Sequence, residues 1–396
     1  MTPVASQRIA VFMYGLTGGG VPRRMATLAN GLAARGYAVD MVLVDPRVDR
    51  ACGLDPSIRV VDVGGWKVRL PVLRRKRRRQ FRVACGALIR YLNEAAPAAL
   101  ISADNYANLT AIAARARARV PVRLVVTQRN HTSTYAADKP DLIAAIRAEY
   151  PKADAIVAVS RGVADDLVAL GLPRQTVRTI YNPMVGPEFA ARAEGPVTHP
   201  WFAAGAPPVI LGVGRLGKQK DFPTLIRAFA RLRADGRPER LMILGDGKTE
   251  ADRAGLLNLA ASLGVAEAVA LPGTVPEAIP YIARAALFVL SSAWEGLPGV
   301  LIEALACGTP AVSTDCPSGP AEILDGGRFG PLVPVGDDRA LAAAMAAVLA
   351  APPDPETLKR RAQTFSIAAA VDAYVALIEG RAEAAPALFH SRHTAG

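Results

Sequence analysis

One stretch predicts a strand, a loop and a helix in direct succession: Ser291-Ser-Ala-Trp-Glu-Gly-Leu-Pro-Gly-Val-Leu-Ile-Glu-Ala-Leu-Ala-Cys-Gly-Thr-Pro310. The apolar run 286–290 is typical of a buried strand, and the apolar spacing over 300–306 predicts a helix. Glu295 is therefore expected in the loop between them, and Glu303 a little over one turn into the helix. Ionised carboxylates only accept hydrogen bonds, so this pair suits a ligand that carries hydroxyl groups.

The start of this helix is also a candidate anion site. Pro298 suits the first helical position, because a helix leaves that N–H unpaired in any case. The N–H groups of Gly299, Val300 and Leu301 would then point out of the helix towards a phosphate. A plainer interpretation is that Glu303 only stabilises the helix through its dipole, by about 0.3–1 kcal/mol. That interpretation leaves the loop glutamate unexplained.

A second stretch has the same architecture: Val209-Ile-Leu-Gly-Val-Gly-Arg-Leu-Gly-Lys-Gln-Lys-Asp-Phe-Pro-Thr-Leu-Ile-Arg-Ala-Phe229. The strand 209–213 leads into a loop rich in Gly, Lys and Arg, and the following segment has helical apolar spacing. Arg215 and Lys220 lie in this loop. Fixed cations at such a place can stabilise negative charge that grows on a phosphate during a reaction.

These segments together resemble the retaining glycosyltransferases of family 4, in which two glutamates are separated by seven residues. The resemblance implies the GT-B fold, an α/β architecture with two doubly wound Rossmann-like domains facing each other across a cleft. It implies that Arg215 and Lys220 grip the donor's diphosphate, that Glu303 binds the ribose, and that Glu295 holds hydroxyls of the donor sugar. The match is strong over the second half of the chain and looser over the first.

The resemblance also implies a set of donor-binding residues drawn from several loops. The turns near Gly245 and after Leu271 would line the nucleotide pocket. The expected donor-binding residues are Gly19, Gly20, Gly214, Thr274, Val275, Gly296, Leu297, Pro298, Gly299, Val300 and Glu303.

The N-terminal glycine-rich segment admits other interpretations. We predict a strand over 8–14, a glycine loop over 15–20 and a helix over 22–35. A dinucleotide-binding Rossmann site is disfavoured by the glycine spacing, and Asp40 is the one feature in its favour. A tight turn that needs positive φ is a further alternative. Pro22 replaces the acidic residue often found there in the resembling family, so no side-chain role is assigned to it.

His131 is the fourth candidate catalytic residue, with Arg215, Lys220 and Glu295. With Arg129 and Asn130 it forms the C-terminal end of the predicted strand Val122-Arg-Leu-Val-Val-Thr-Gln-Arg-Asn-His131, and ligands of open α/β sheets bind at the carboxyl ends of strands. A lone histidine is commonly structural, but the resembling family has one here, next to the transferred sugar.

The length of 396 residues and alternating strands and helices predict two parallel-sheet domains. We expect an acceptor-side domain over 1–183, a linker over 184–207 and a nucleotide-sugar-binding domain over 208–365. A helix over 366–382 would cross back onto the first domain, and 383–396 would be a disordered tail.

Four cysteines without metal-type spacing, and no signal peptide or spanning segment, favour a cytoplasmic protein. The sequence has no Asp-x-Asp motif, so neither a metal nor another cofactor is expected.

Basic residues are concentrated in one segment. Nine Lys and Arg residues and no acidic residue lie between Lys67 and Arg82, in a chain of net charge +12. The core of this basic segment is Arg74, Arg75, Lys76, Arg77, Arg78 and Arg79. Interleaved apolar residues favour docking at the anionic inner face of the cytoplasmic membrane, at about 1 kcal/mol per charge. Nucleic-acid binding and a merely solvated helix face are the alternatives.

The sequence therefore predicts a retaining glycosyltransferase that transfers a hexosyl or N-acetylhexosaminyl group. The donor would be a nucleotide diphosphate sugar, UDP-linked, and the acceptor a glycan or lipid-linked molecule of cell-surface polysaccharide synthesis. A nucleotide-sugar epimerase of GT-B fold and a non-enzymatic basic α/β protein that binds nucleic acid remain as alternatives.

Overall fold

The computed structural model describes residues 7–17, 19–49, 52–65 and 77–381. Within these residues seven parallel strands form one sheet and six parallel strands form another, in the orders β3-β2-β1-β4-β5-β6-β7 and β10-β9-β8-β11-β12-β13. The first sheet comprises β1 (Arg8–Leu16), β2 (Ala38–Val48), β3 (Arg59–Asp62), β4 (Ala99–Ala103), β5 (Arg123–Gln128), β6 (Ala155–Ala158) and β7 (Val177–Thr179). The second comprises β8 (Val209–Val213), β9 (Arg240–Leu244), β10 (Val269–Gly273), β11 (Leu287–Leu290), β12 (Ala311–Thr314) and β13 (Leu332–Val333).

Helices connect the strands of both sheets. The helices up to the end of the first sheet are α1 (Gly20–Ala33), α2 (Arg77–Ala95), α3 (Asn105–Arg115), α4 (Thr132–Tyr135), α5 (Pro140–Glu149) and α6 (Arg161–Ala169). The later helices are α7 (Phe189–Ala193), α8 (Phe222–Ala234), α9 (Glu250–Ser262), α10 (Ile279–Arg284), α11 (Gly299–Cys307), α12 (Pro320–Ile323), α13 (Asp338–Ala350), α14 (Pro355–Ala362) and α15 (Ile367–Ile378). Short 3-10 turns lie at Tyr150–Lys152, Arg174–Thr176, Pro200–Phe202, Ala266–Ala268 and Gln363–Phe365. This architecture confirms the predicted α/β class with two doubly wound sheets.

The central strands are buried on both faces, which explains their continuous apolar sequences. Ile9, Ala10, Val11 and Phe12 of β1 are fully buried, as expected where helices cover both faces of a parallel sheet. In the second domain, the helix α8 buries the apolar face that the spacing of its apolar residues predicts.

The N-terminal elements begin and end at different residues from those predicted. β1 continues through Gly15 to Leu16, because Gly15 still pairs with Asp45 of β2. α1 begins at Gly20 and ends at Ala33, two residues earlier at each end than predicted. The turn between them is therefore shorter than the glycine run suggests.

The segment 184–207 between the sheets begins against the 3-10 turn that precedes the last helix. It contains α7, and Phe189 of that helix is buried. The N–H groups of Met184 and Val185 both donate to the carbonyl of Phe365, at 3.1 Å each. These bonds join the two places at which the chain passes between the domains.

The last helix, α15, packs on α1 of the first domain. A Cβ at Gly31 of α1 would lie 2.4 Å from Cγ2 of Val371, so only glycine allows this close approach. Arg35 also pairs with Asp372 at 2.6 Å and donates to the carbonyl of Ala368 at 3.1 Å. α15 thus ties the second half of the chain to the first. The predicted tail, 383–396, lies outside the described residues.

Candidate active site

Most of the candidate residues follow strands at which the two sheets reverse their strand order. In the second sheet β8 and β11 are neighbours, and the chain winds outwards from them in opposite directions. Their following loops contain Arg215 and Lys220 on one side and Glu295 on the other. In the first sheet β1 and β4 form the corresponding point, and the loop after β1 contains Gly19 and Gly20. Such reversal points form the ligand crevices of open α/β sheets.

Glu295 is the centre of a polar cluster in the second domain. Its Oε1 accepts hydrogen bonds from Nζ of Lys220 at 2.7 Å and from Oγ of Ser292 at 2.8 Å. Nε2 of Gln219 lies 3.4 Å from its other oxygen. Only 7% of Glu295 is exposed, so the Lys220 ion pair is largely shielded from water. The structure therefore brings two predicted catalytic residues into direct contact.

Two glycines make this geometry possible. A Cβ on Gly214 would lie 2.6 Å from Cε of Lys220, so the lysine stem lies directly over the glycine backbone. A Cβ on Gly245 would lie 2.1 Å from the carbonyl oxygen of Gly214, so the loops after β8 and β9 touch through their backbones. Gly214 thus allows Lys220 to reach Glu295.

Arg215 differs from Lys220 because it faces solvent. Its side chain is exposed, and it has no hydrogen-bond or ion-pair partner among the described residues. A cation of this kind beside a shielded ion pair can bind an incoming anion without first breaking a protein contact.

The start of α11 corrects one detail of the prediction. Pro298 is the residue that precedes the helix, and Gly299 takes the first helical position. The N–H of Leu301 donates to the carbonyl of Pro298 at 3.1 Å, so it is not available to a ligand. The N–H groups of Gly299 and Val300 remain as candidate anion donors.

Glu303 of α11 is buried and paired with the other domain. Only 6% of it is exposed, and its Oε1 accepts a hydrogen bond of 2.6 Å from Nη2 of Arg24 in α1. Burial lowers the pKa of the Arg24 guanidinium, whereas the charge of Glu303 raises it. Glu303 is thus held in place by a contact across the cleft, which helix stabilisation alone would not require.

The loop that contains Glu295 also contacts the first domain. The N–H of His131 donates to the carbonyl of Glu295 at 3.3 Å, and Oγ of Ser160 donates to that of Gly296 at 2.8 Å. A Cβ on Gly296 would lie 2.0 Å from the carbonyl oxygen of Arg129. Gly296 is therefore a point of close backbone approach between the two halves. Leu297 and Pro298 beside it are buried.

His131 is held by groups of the first domain. Its Nδ1 lies 3.0 Å from Oγ1 of Thr134 and 3.6 Å from Oδ1 of Asp166. The other oxygen of Asp166 accepts bonds from the N–H groups of Thr132, at 2.6 Å, and Ser133, at 3.2 Å, in the first turn of α4. Asp166 therefore fixes the short helix that follows the histidine, and Thr134 of that helix contacts the imidazole.

The N-terminal loop positions Gly19 and Gly20 at the start of α1. Gly19 has a φ of 82°, which favours glycine, so the turn interpretation is correct for this residue. The side-chain carboxylate of Asp40 lies deep within the sheet and accepts hydrogen bonds from Arg8, Arg59 and Tyr91. Asp40 is thus a buried structural residue, which removes the one feature in favour of a dinucleotide site.

The remaining predicted residues are Thr274 and Val275, in the loop after β10. Thr274 is exposed, and its N–H donates to a carboxylate oxygen of Asp246 at 2.9 Å. This contact joins the loops after β9 and β10 at the same edge of the sheet.

The basic segment is only partly described. Arg74, Arg75 and Lys76 lie outside the described residues, as do the side chains of Arg77, Arg78 and Arg79, although α2 begins at Arg77. Among the residues that the structure describes, no helix is long and apolar enough to cross a bilayer.

Arg24 and Asp166 are among the contributors to the site that are absent from the sequence prediction. Each has a periodic signal, because Arg24 shares the buried face of α1 with Leu28, and Asp166 shares that of α6 with Val163. A charged residue on an apolar helix face is a candidate for a functional contact. The loop contact of Ser160 has no such signal, because it depends on how the domains meet.

Comparison with known proteins is consistent with this geometry. Solved structures with the same arrangement include the apo form of the lipopolysaccharide outer core galactosyltransferase WaaB, with a TM-score of 0.70, 20% identity, and coverage of 94% of this chain and 99% of that one. Anabaena Alr3699/HepE in complex with UDP-glucose has a TM-score of 0.73 at 16% identity, with coverage of 94% and 100%. The fold is therefore GT-B.

Sequence comparison identifies the family. The model described as Glycosyltransferase Family 4 matches residues 18–184, and the one described as Glycosyl transferases group 1 matches residues 207–351. The chain belongs to the family 4 glycosyltransferases, as the sequence motifs predict.

Two curated relatives match part of the chain. The Campylobacter jejuni N-acetylgalactosamine-N,N'-diacetylbacillosaminyl-diphospho-undecaprenol 4-alpha-N-acetylgalactosaminyltransferase is 35% identical over 193 residues, which is 48% of this chain and 50% of that protein. The lipopolysaccharide core biosynthesis glycosyltransferase LpsE of Rhizobium meliloti is 33% identical over 233 residues, which is 58% of this chain and 65% of that protein. The match thus spans half to two thirds of these relatives' lengths.

Proposed function

We propose that this protein is a retaining glycosyltransferase that moves a hexosyl or N-acetylhexosaminyl group from a UDP-linked sugar to a glycan or lipid-linked acceptor. The observation that carries the proposal is the exposed Arg215, which has no partner among the described residues, in the same loop as Lys220 of the shielded Lys220–Glu295 pair, at the strand-order reversal of the second sheet. Such an arrangement suits a ligand with both a diphosphate and sugar hydroxyls.

The proposed chemistry places charge stabilisation on the second domain. As the bond between the anomeric carbon and the diphosphate oxygen breaks, negative charge grows on the leaving phosphate, and Arg215 and Lys220 stabilise it. Glu295 accepts hydrogen bonds from donor-sugar hydroxyls with the carboxylate lone pairs that its protein partners do not occupy. His131 contacts the same sugar from the first domain. The acceptor oxygen bonds to the anomeric carbon on the face that the diphosphate leaves, and its proton passes to the leaving phosphate, so the anomeric configuration is retained.

The donor and acceptor classes are supported by the relatives. A structural neighbour is described in complex with UDP-glucose, and the Campylobacter relative is named for transfer to a diphospho-undecaprenol-linked sugar. We propose the same classes here, with no metal or other cofactor.

Product analysis tests the proposal. The protein is incubated with UDP-linked glucose, galactose and their N-acetylamino forms, together with a diphosphate-lipid-linked sugar, and the products are identified by mass spectrometry. We expect one donor to give a lengthened acceptor plus UDP. Conversion of the donor into an isomer, with the acceptor unchanged, would identify an epimerase instead.

Arg215→Ala tests the proposed role of the cation. We expect kcat to fall by about 100-fold or more, because the growing charge loses a positioned cation. Arg227→Ala is the matched control, since it removes an exposed arginine of α8, the helix that follows the same loop. Turnover of Arg215→Ala within a few-fold of the parent would refute the role.

We propose in addition that the basic segment 67–82 docks the protein on the anionic inner face of the cytoplasmic membrane. Co-sedimentation with vesicles of phosphatidylcholine and with vesicles containing phosphatidylglycerol tests this. We expect binding only to the anionic vesicles, and less of it as salt rises. Equal binding after Arg74, Arg75 and Lys76 are all changed to Gln would contradict it.

A further inference from the structure

A buried ion pair joins the two domains at the predicted ribose site. Nη2 of Arg24, in α1 of the first domain, lies 2.6 Å from Oε1 of Glu303, in α11 of the second. The two side chains are only 10% and 8% exposed. α1 also begins with the predicted diphosphate-facing residues Gly19 and Gly20, so one helix contributes to both ends of the proposed nucleotide site.

The guanidinium of Arg24 lies close to Gly299, the first residue of α11. A Cβ at Gly299 would lie 2.8 Å from Cε of Met184 and 3.3 Å from Nη2 of Arg24. The absence of a side chain at Gly299 therefore leaves room for both of these side chains at the start of the helix.

The pair leaves part of Glu303 available to a ligand. Arg24 occupies Oε1, and among the described residues Oε2 has no recorded hydrogen-bond donor. Carboxylate oxygens accept hydrogen bonds from hydroxyls. By holding Oε1, Arg24 fixes the orientation in which Glu303 presents its other oxygen to a ribose hydroxyl.

We propose that Arg24 is a positioning residue for the nucleotide's ribose, acting through Glu303. Because Arg24 extends from the first domain, ribose recognition by the second domain requires the arrangement of the two domains in which Arg24 contacts Glu303. The inference rests on the proposed function, since it takes a nucleoside diphosphate as the ligand.

Discrimination between ribose and deoxyribose tests the inference by calorimetry. The parent is first titrated with UDP, GDP and ADP, and the tightest ligand is then compared with its 2′-deoxy and 3′-deoxy forms. We expect the parent to prefer the ribose form over at least one deoxy form by about 10- to 100-fold. Arg24→Met and Glu303→Gln should each reduce that preference to within about threefold. Arg23→Met, which removes the neighbouring and more exposed arginine, should keep it.

The double variant Arg24→Met with Glu303→Gln shows whether Arg24 acts through the glutamate. We expect its affinities to match those of Glu303→Gln within about threefold, because coupled residues are not additive. A further tenfold loss would instead mean direct contact of Arg24 with the ligand, and would overturn the inference.

Folding of each variant is checked by circular dichroism and thermal unfolding. If Arg24→Met does not fold, Arg24→Lys is the test, because it keeps the charge but changes the geometry. If a folded Arg24 variant still prefers the ribose form over the deoxy form as strongly as the parent does, the inference is wrong but the proposed function stands. If the parent binds no nucleoside diphosphate, the proposed function fails and the inference with it.

Discussion

Adding one methyl group at Gly296 should separate the loop that contains Glu295 from the first domain. In Gly296→Ala the new Cβ would lie 2.0 Å from the carbonyl oxygen of Arg129 and 2.7 Å from its carbonyl carbon. Real Cβ atoms need about 1 Å more than this, so the loop has to move by roughly that distance. The movement would stretch the hydrogen bonds that His131 and Ser160 donate to the loop.

The size of the effect follows from these contacts. Overpacking costs about 1–3 kcal/mol, and each of the two hydrogen bonds contributes about 0.5–1.5 kcal/mol. The observed contact between the two domains is therefore destabilised by about 2–6 kcal/mol. Since a 1 Å misplacement alone can lower a rate by about 100-fold, we expect kcat/KM for the donor to fall by at least that factor.

Steady-state transfer kinetics and thermal unfolding together measure the effect. Gly255→Ala is the matched control, because a Cβ at Gly255 of α9 meets nothing within 4 Å. This control should keep the parent's activity and gain about 0.5–1 kcal/mol of stability from helix propensity. If Gly296→Ala retains kcat/KM within threefold of the parent, close contact between the loop and the first domain is not needed for function.

Three other predictions concern two carboxylates of the first domain and the independence of transfer from metal ions. Asp40→Asn should lower the free energy of unfolding by about 2 kcal/mol at pH 7, because hydrogen bonds to a charged group are lost. Burial favours a higher pKa for Asp40, but hydrogen bonds from Arg59, Tyr91 and Arg8 outweigh it and lower the pKa below its ordinary value. The stabilisation by ionised Asp40 is therefore complete above a pH of about 4 and is lost as pH falls through the native pKa. In urea unfolding between pH 7 and pH 3, the free energies of unfolding of the parent and of Asp40→Asn should converge as pH falls. Asp166→Asn should lower kcat/KM by about tenfold with a folded protein, because an amide presents a donor to the N–H groups at the start of α4; an unchanged kcat/KM would remove Asp166 from the site. Millimolar EDTA should leave transfer by the parent unchanged, and a loss restored by added Mg²⁺ or Mn²⁺ would contradict metal-independent chemistry.

Much of the second domain could be predicted from local sequence. The strand, loop and helix around Glu295 follow from apolar spacing and glycine content, and they form as expected. These signals lie within about twenty residues of one another, so they need no knowledge of the rest of the chain. The exact start of α11 was less predictable, because a proline can either precede a helix or take its first position.

The contacts across the cleft were less predictable. Whether Arg24 meets Glu303 depends on the relative placement of two domains and on the space above Gly299, neither of which is a local property of the sequence. The same is true of the contact between Gly296 and Arg129. For Asp40, sequence distance from the glycine loop suggested a ligand role, whereas its place near the start of β2 buries it among Arg8, Arg59 and Tyr91.

The most direct test of the central claim is calorimetric titration with UDP, GDP, ADP, NAD and a short oligonucleotide, on the parent and on Arg215→Ala. The account predicts that the parent binds UDP selectively and that Arg215→Ala binds it at least tenfold more weakly, because a charged contact to the diphosphate is lost. Binding of NAD or the oligonucleotide, without affinity for any nucleoside diphosphate, would contradict the proposed glycosyl transfer.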